Sequence, residues 1–347
     1  MPLLPSLRRP VFTLGLSLAG VGAWHLTGLP LPFLFGPMFA CLIAALLGAD
    51  LGGVKTVSTG MRTVLGVAVG ASLTPAVVGQ MGTMLLSLAL VPLFVLLIGL
   101  VGVPFFRRVC GYDPATAWYA AMPGGLADMV IFGTEAGGNP RTLSLIHATR
   151  VLILVSVAPI VLVQLFGAAL DQPIGAPAAE LPVSEMLLML AAALIGWKGG
   201  ERIGLFGASI LGPLILAGAL SLGGFLTQRP PAEAILAAQF FIGMGLGVGY
   251  VGVTVAELRR DVAAGVAFVL ILAALAAAIT ELVVLAGLAG PVEAFLAFAP
   301  GGQAEMTVLA IIAGADLGYV VVHHLTRIMV VIAGAPLAAR LIRGRPK

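Results

Sequence analysis

Apolar residues in this chain fall into long runs separated by short turns rich in glycine, proline and charge. In order, the runs are Val11 to Gly28, Phe33 to Gly48, Thr63 to Val78 and Met84 to Val103, then a glycine-broken segment from Pro114 to Ala136, then Thr142 to Ala169. After a polar stretch without Lys or Arg, residues 171–182, the six-run pattern returns: Val183 to Trp197, Leu205 to Gly224, Ala232 to Val253, Val262 to Leu288, a second broken segment, and Tyr319 to Ile342. As helix, a run of about 20 residues covers a hydrocarbon layer of roughly 30 Å. Barrel strands would alternate apolar and polar residues over short segments, and these runs do not. The pattern predicts an all-α integral membrane protein whose halves, residues 1–170 and 183–347, are joined by the linker 171–182.

The halves match in detail. Met122-Pro-Gly-Gly-Leu-Ala-Asp-Met129 recurs as Ala299-Pro-Gly-Gly-Gln-Ala-Glu-Met306, 177 residues later. His147 and Arg150 follow the first copy at the distance at which His324 and Arg327 follow the second. Gly70 and Gly247, Pro114 and Pro291, Asn139 and Asp316, and Pro159 and Pro336 share that offset. Gly36-Pro37 also has a counterpart in Gly212-Pro213, and Gly66-x-x-x-Gly70 in Gly243-x-x-x-Gly247. Small residues at that spacing let helix backbones approach closely. So many matches indicate an internal duplication.

Composition fixes the solvent. Of 347 residues, 60% are hydrophobic and 10% charged, and the mean hydropathy is +1.12. One water-soluble core cannot hide that much apolar surface. The net charge of +3 reflects loop cations rather than a nucleic-acid surface, since no dense basic run with aromatics occurs. Cys41 and Cys110 sit in or beside apolar runs and read as small core residues. Trp24-His25-Leu26 supplies no small-x-small cleavage site, so the first run reads as an uncleaved span with a cytoplasmic N-terminus.

Loop cations also decide the topology. If all twelve runs cross, eleven Lys/Arg lie inside and five outside; if the two broken segments dip in and return, fifteen lie inside and only Arg229 outside. The positive-inside rule selects the second arrangement. It predicts about ten transmembrane helices, two re-entrant segments, halves of opposite orientation and cytoplasmic termini. Inverted repeats whose broken helices converge at mid-bilayer are the architecture of secondary transporters.

The chemistry follows from the breaks. Proline lacks an N–H and glycine tolerates open backbone angles, so Pro123-Gly124-Gly125 and Pro300-Gly301-Gly302 interrupt helix bonding and leave free amides. The half-helix starting after each break offers its positive end to an anion, and Gln303 adds a donor in the second copy. Asp128 and Glu305 fall in the first turns of those half-helices. They either complement the helix N-terminus or, with Asn139, Asp316, His147 and His324, bind a cation or carry a proton. Arg150 and Arg327 lie several residues inside apolar runs, where insertion costs roughly 2.5–3.5 kcal/mol each. They either pair as struts, Arg150 with Asp128 or Glu135 and Arg327 with Glu305 or Asp316, or hold a substrate carboxylate bidentately. His323, about 100° away around the helix, is given no role.

Other motifs carry less. Gly247-Val-Gly-Tyr-Val-Gly252 has the letters of a dinucleotide fingerprint but lies in an apolar run without a preceding strand, and reads as helix packing. No phosphate loop is present, and no Cys/His clustering marks a metal site. No cofactor, catalytic residue or nucleic-acid partner is expected; Glu281 stands open between interface and ion path.

The doubled Pro-Gly-Gly-x-Ala-Asp/Glu-Met, the Gly-Pro of Phe35-Gly-Pro-Met38 and Leu211-Gly-Pro-Leu214, and the His-x-x-Arg pairs together resemble the bacterial AbrB-type duplicated membrane proteins. Members of that group go under the names of transporters, regulators or ammonia monooxygenases, and are classed with cation/proton antiporters and anion transporters. The resemblance spans both halves and implies an inverted-repeat transporter. Two departures set the copies apart: Asp128 stands where a longer acid is usual, and Gln303 where an apolar residue is usual. The expectation is a secondary active transporter, not an enzyme, in the bacterial inner membrane. It would move a small anionic organic solute by alternating access coupled to H⁺ or Na⁺. The hairpins and Arg-bearing helices would form the moving core, and the Gly-rich third spans would pack against it or form a homodimer face. A cation/proton antiporter with structural arginines is the alternative within transport, and a membrane monooxygenase the alternative outside it.

Overall fold

The computed structural model describes residues 5–75, 79, 81–205 and 207–343. Val78, Phe206 and the terminal cations Arg345 and Lys347, all used in the sequence reading, lie outside the described residues. In chain order the main helices are α1 Pro5–His25, α2 Pro32–Leu46, α3 Lys55–Gly70, α4 Leu85–Pro104, α5 Pro114–Ala121, α6 Leu126–Glu135, α7 Pro140–Gln164, α8 Val183–Arg202, α9 Ala208–Leu222, α10 Ala232–Val248, α11 Ala263–Leu285, α12 Pro291–Phe298, α13 Gln303–Ile312 and α14 Leu317–Arg343. No strand occurs among the described residues. Among the described residues four helical stretches, Gly82–Val109, Pro140–Gln164, Val183–Arg202 and Val255–Leu285, are long and apolar enough to cross a bilayer, and shorter apolar helices accompany them. Leu85, Leu86, Leu100, Leu194, Ile195 and Leu270 are exposed on these stretches, as lipid-facing residues are. The chain is a membrane-embedded helical protein.

Compact packing does not follow the two halves. One unit joins Met1–Val78 to Leu170–Val253, the other Gly79–Ala169 to Thr254–Lys347, so each unit takes one segment from each half. In the first unit the reason is the glycine pattern. A Cβ on Gly70 would come within 2.5 Å of the Leu214 carbonyl on α9, and one on Gly247 within 2.5 Å of the Met38 carbonyl on α2. Gly66 and Gly243 lie equally hard against Ile210 and Leu34. The third helix of each half thus packs backbone to backbone on the second helix of the other, gaining dispersion contact that lipid cannot match. That covers the small-residue face expected either to meet the hairpins or to pair two copies. Gly20 on Gly36 and Gly196 on Gly212 repeat the device between first and second helices.

The second unit holds both broken segments. Its core joins Phe94 and Ile98 of α4, Tyr119 and Ala120 of α5, Phe268 and Leu272 of α11, Phe298 of α12 and Tyr319 of α14. Phe106 and Phe268 meet with ring centroids 4.7 Å apart, and Phe94 meets Phe298 edge-on at 5.8 Å. Aromatic pairs at such spacings add roughly 0.5–1.5 kcal/mol each beyond area burial. They fix the frame against which the hairpins lie.

Candidate functional site

Each broken segment is a closed hairpin. Asp113 opens the first by accepting a hydrogen bond from the Thr116 amide at 2.9 Å, so α5 starts with a capped N-terminus. Burial alone would raise the Asp113 carboxyl, but the hydrogen bonds it accepts from Thr116 and its neighbours prevail and hold it low. After eight residues, Met122 and Pro123 leave helical geometry, and α6 begins beyond Gly125 for ten residues. The arms are therefore about 12 and 15 Å long. They return to their origin, because the Asn139 amide before α7 donates to Thr116 Oγ1 at 2.8 Å. In the second copy α12 and α13 are again eight and ten residues, and the Asp316 amide donates to Glu293 Oε1 at 3.4 Å.

The two glycines, the acid and the closing methionine of the motif each have a steric or electrostatic reason. A Cβ on Gly124 would come within 2.8 Å of Met129 Sδ, and one on Gly301 within 2.8 Å of Met306 Cε. The first glycine thus admits the methionine five residues on, which is fully buried in both copies. The second glycine admits the acid. The Asp128 carboxylate folds back over Gly125, and the Glu305 carboxylate over Gly302, where a Cβ would lie 2.9 Å from Glu305 Cδ. Both acids sit three residues after the cap position, where a carboxylate meets the positive helix end.

A break in a helix orphans the carbonyls of its last turn. In the first copy His147 Nε2 takes the Tyr119 carbonyl at 3.0 Å, Arg150 Nη1 donates to Met122 O at 3.1 Å, and Arg150 Nη2 donates to Gly124 O at 2.6 Å. In the second, His324 Nε2 takes Leu296 O at 2.8 Å, Arg327 Nη1 donates to Ala299 O at 2.6 Å, and Nη2 donates to Gly301 O at 2.9 Å. Arg327 Nη2 also lies 3.3 Å from His324 Nδ1. Eleven residues separate Asn139 from Arg150, about 16 Å of helix, which matches the length of the arm. The following helix therefore delivers its cation to the hairpin tip.

To the strut and the bidentate clamp read from sequence the structure adds a third role, the latching of carbonyls. The terminal nitrogens of both guanidiniums are engaged with carbonyls, leaving Nε of each without a protein partner. Glu135 and Asp316, named as strut partners, are exposed at the base of the arms. The arginines are buried, 2% and 3% exposed, and neighbouring carbonyls are the nearest compensation a broken helix provides. The two copies also sense each other. Glu305 acts electrostatically on Arg150, the two guanidiniums on one another, and α13 packs on α7.

The structure thus brings Pro123, Gly124, Gly125, Asp128, His147 and Arg150 together at one tip, and Pro300, Gly301, Gly302, Gln303, Glu305, His324 and Arg327 at the other. Asn139 and Asp316 lie elsewhere, exposed at the hairpin bases. Asn139 Oδ1 accepts from the Arg141 and Thr142 amides at 3.0 and 3.1 Å, and Asp316 Oδ1 from the Tyr319 amide at 3.0 Å, so both cap the following helix. The first base has an extra clamp that no repeat signal marks. Asp261, buried, accepts from Tyr112 Oη at 2.8 Å, Arg260 Nε at 2.8 Å and Thr142 Oγ1 at 3.2 Å, and Arg141 pairs with Glu257 at 2.9 Å. Burial and the Asp261 carboxylate push the Tyr112 phenol up, so it stays a donor.

Two residues of the second copy gain weight. Gln303 is buried, and its Nε2 has no protein partner. His323, given no role from sequence, is wholly buried and bonded at both ring nitrogens; the usable signal was that only the second half carries two adjacent histidines. Among the described residues no group of three or more His, Cys, Asp or Glu is placed to hold a metal ion.

Comparison with known proteins gives a consistent placement. The chain is 24% identical to the "Uncharacterized protein YhjN" of Bacillus subtilis, covering 97% of this chain and 94% of that one. It is 25% identical to the "Putative regulator AbrB" of Escherichia coli, covering 90% of each. No solved structure matches. Residues 33–343 match the family described as "Transition state regulatory protein AbrB", a span holding both hairpins and both buried arginines, and the chain belongs to the AbrB family.

Proposed function

We propose that this protein is a secondary active transporter moving a small anionic organic solute across the inner membrane by alternating access, coupled to H⁺ or Na⁺. The observation that carries the reading is the pair of closed half-length hairpins, each ending in a broken backbone beside a buried cation. Arms of about 12 and 15 Å reach roughly halfway through a 30 Å hydrocarbon layer and return. Non-helical backbone at that depth is tolerated only where protein or a watery cavity surrounds it. The starts of α6 and α13 put positive helix ends at the tips, and with Arg150 and Arg327 they favour an anion. Two halves of opposite orientation, about ten spans, two re-entrant hairpins and cytoplasmic termini complete the reading. The sequence holds no DNA-reading motif that would support the regulator name borne by one relative.

One observation favours a second reading. Because each guanidinium already serves two carbonyls, the arginines also suit a cation/proton antiporter in which they only hold the tips and Asp128 and Glu305 bind the cation. Counterflow of small carboxylates in proteoliposomes separates the two. Saturable exchange that is lost in Arg150→Lys and Arg327→Lys variants supports anion transport. Sodium-driven proton movement that survives in those variants, without carboxylate exchange, supports the antiporter. Single cysteines at Asn139 and Asp316 test the orientation, since labelling of both from the same face contradicts inverted halves.

A further inference from the structure

The second copy contains a polar group that the first lacks. His323 Nδ1 lies 2.8 Å from the Tyr319 carbonyl, and Nε2 lies 3.0 Å from Ser87 Oγ, whose hydroxyl donates to Met84 O at 2.9 Å. The ring lies tilted by 31° against Tyr319 with centroids 4.0 Å apart and meets Phe298 edge-on at 5.5 Å. At the 177-residue offset Ile146 stands for His323, Thr142 for Tyr319 and, in the second half, Ala264 for Ser87. There Gly265 packs closely on Ile146 and Thr149 instead.

A carbonyl only accepts, and a serine hydroxyl has one proton to give. With that proton on Met84 O, both ring nitrogens face acceptors. All three bonds hold together only when the ring carries a proton on each nitrogen. A neutral ring with its proton on Nδ1 needs the Ser87 hydroxyl to swing from Met84 O to Nε2. We propose that His323, Ser87 and the Tyr319 carbonyl form a buried proton-binding site beside the second hairpin. Proton uptake at Nε2 returns the Ser87 hydroxyl to Met84, and proton release swings it back. Resting on the transport reading above, this site takes the coupling ion, which is then H⁺ rather than Na⁺.

The ionisable neighbours are few. On α14 they are Tyr319, His324 and, one turn on, Arg327. From α12 Glu293 acts on Tyr319, α13 contributes Glu305 and α5 Tyr119, while α4 offers only the Ser87 hydroxyl. The Tyr319 carbonyl and Ser87 Oγ take up both ring nitrogens, so the ring's charge is set by these two acceptors against the cost of burial.

The test is ¹⁵N-imidazole NMR of the full chain in nanodiscs, the His323 signal being assigned by its loss in His323→Gln. The expected result is conversion from a doubly protonated to a neutral ring between about pH 5 and 8, the range in which imidazole can titrate. Ser87→Ala should lower the midpoint by about one unit, a tenfold loss of proton affinity. A ring that stays neutral throughout, or a midpoint indifferent to Ser87→Ala, overturns the site. If His323→Ile, the first-half arrangement, folds and exchanges solute but no longer moves protons with it, the coupling role holds. Proton-coupled exchange unchanged in that variant refutes the role. Neither NMR result depends on a substrate, so a failed counterflow assay would sink the transport reading and leave the titration standing.

Discussion

The two hairpins share a skeleton and differ in what surrounds it. Both use arms of eight and ten residues, a Met over the first glycine, an acid over the second, and a His and an Arg reaching the orphaned carbonyls. The first is clamped at its base by the Asp261 cluster, carries Asp128 and has apolar Leu126 after its break. The second lacks that cluster but carries Glu305, Gln303 and the His323–Ser87 pair. The common parts close a broken helix in an apolar medium. The differing parts leave the first copy better anchored and the second richer in buried polar groups.

The largest expected effect tests the shared part. Arg150→Ala and Arg327→Ala each remove two charge-assisted hydrogen bonds and strand two buried carbonyls, at about 3–6 kcal/mol for bonds of that type. Both variants should unfold well below the parent in thermal melts in detergent, by similar margins. If only one is destabilised, the two latches are not equivalent and the common skeleton is broken. Lysine at either site keeps the charge but reaches one carbonyl at a time, and should recover less than half of the loss.

The second glycines come next. Gly302→Ala drives a methyl into a buried carboxylate and should cost roughly 1–3 kcal/mol as an overpacking change. Gly125→Ala meets the shorter, half-buried Asp128, which can swing aside, and should cost less. Equal melting shifts would remove the distinction drawn between the acids. Smaller still are the base caps: Asn139→Ala and Asp316→Ala should each cost about 1 kcal/mol in the same melts. The loss at Asn139 should be the smaller because the Asp261 cluster also holds Thr142.

Much of this was legible in the sequence because a broken helix in lipid needs rare residues in fixed order. Pro123 and Pro300 marked the tips, Thr142 to Ala169 marked the helix that follows, and the 177-residue offset tied Arg150 to Arg327. What the arginines do was not legible. Carbonyl partners leave no trace in residue identity, whereas acids do, so Asp128 and Glu305 drew the pairing. Asn139 and Asp316 looked like site residues for a related reason, since a helix cap and an ion ligand use the same side chains. The interleaving of the halves was invisible too. Gly66 and Gly243 announce a close contact, but only the fold tells that the partner backbone is Ile210 or Leu34 of the other half.

Gln303 gives the smallest stability change and the most direct reading of the asymmetry. It occupies the first turn of α13, where the first copy has Leu126, and is buried with its Nε2 unmatched by protein. A buried donor without a partner costs about 1–3 kcal/mol, and an apolar side chain of similar size does not carry that cost. Gln303→Leu should therefore leave the melting temperature unchanged or slightly raised. If the amide serves a solute at the second tip, the same variant should lose carboxylate exchange several-fold while Leu126→Gln in the first copy changes it little. Unaltered exchange in Gln303→Leu would mean the two tips handle the solute alike, and the difference between the copies would then rest on His323 alone.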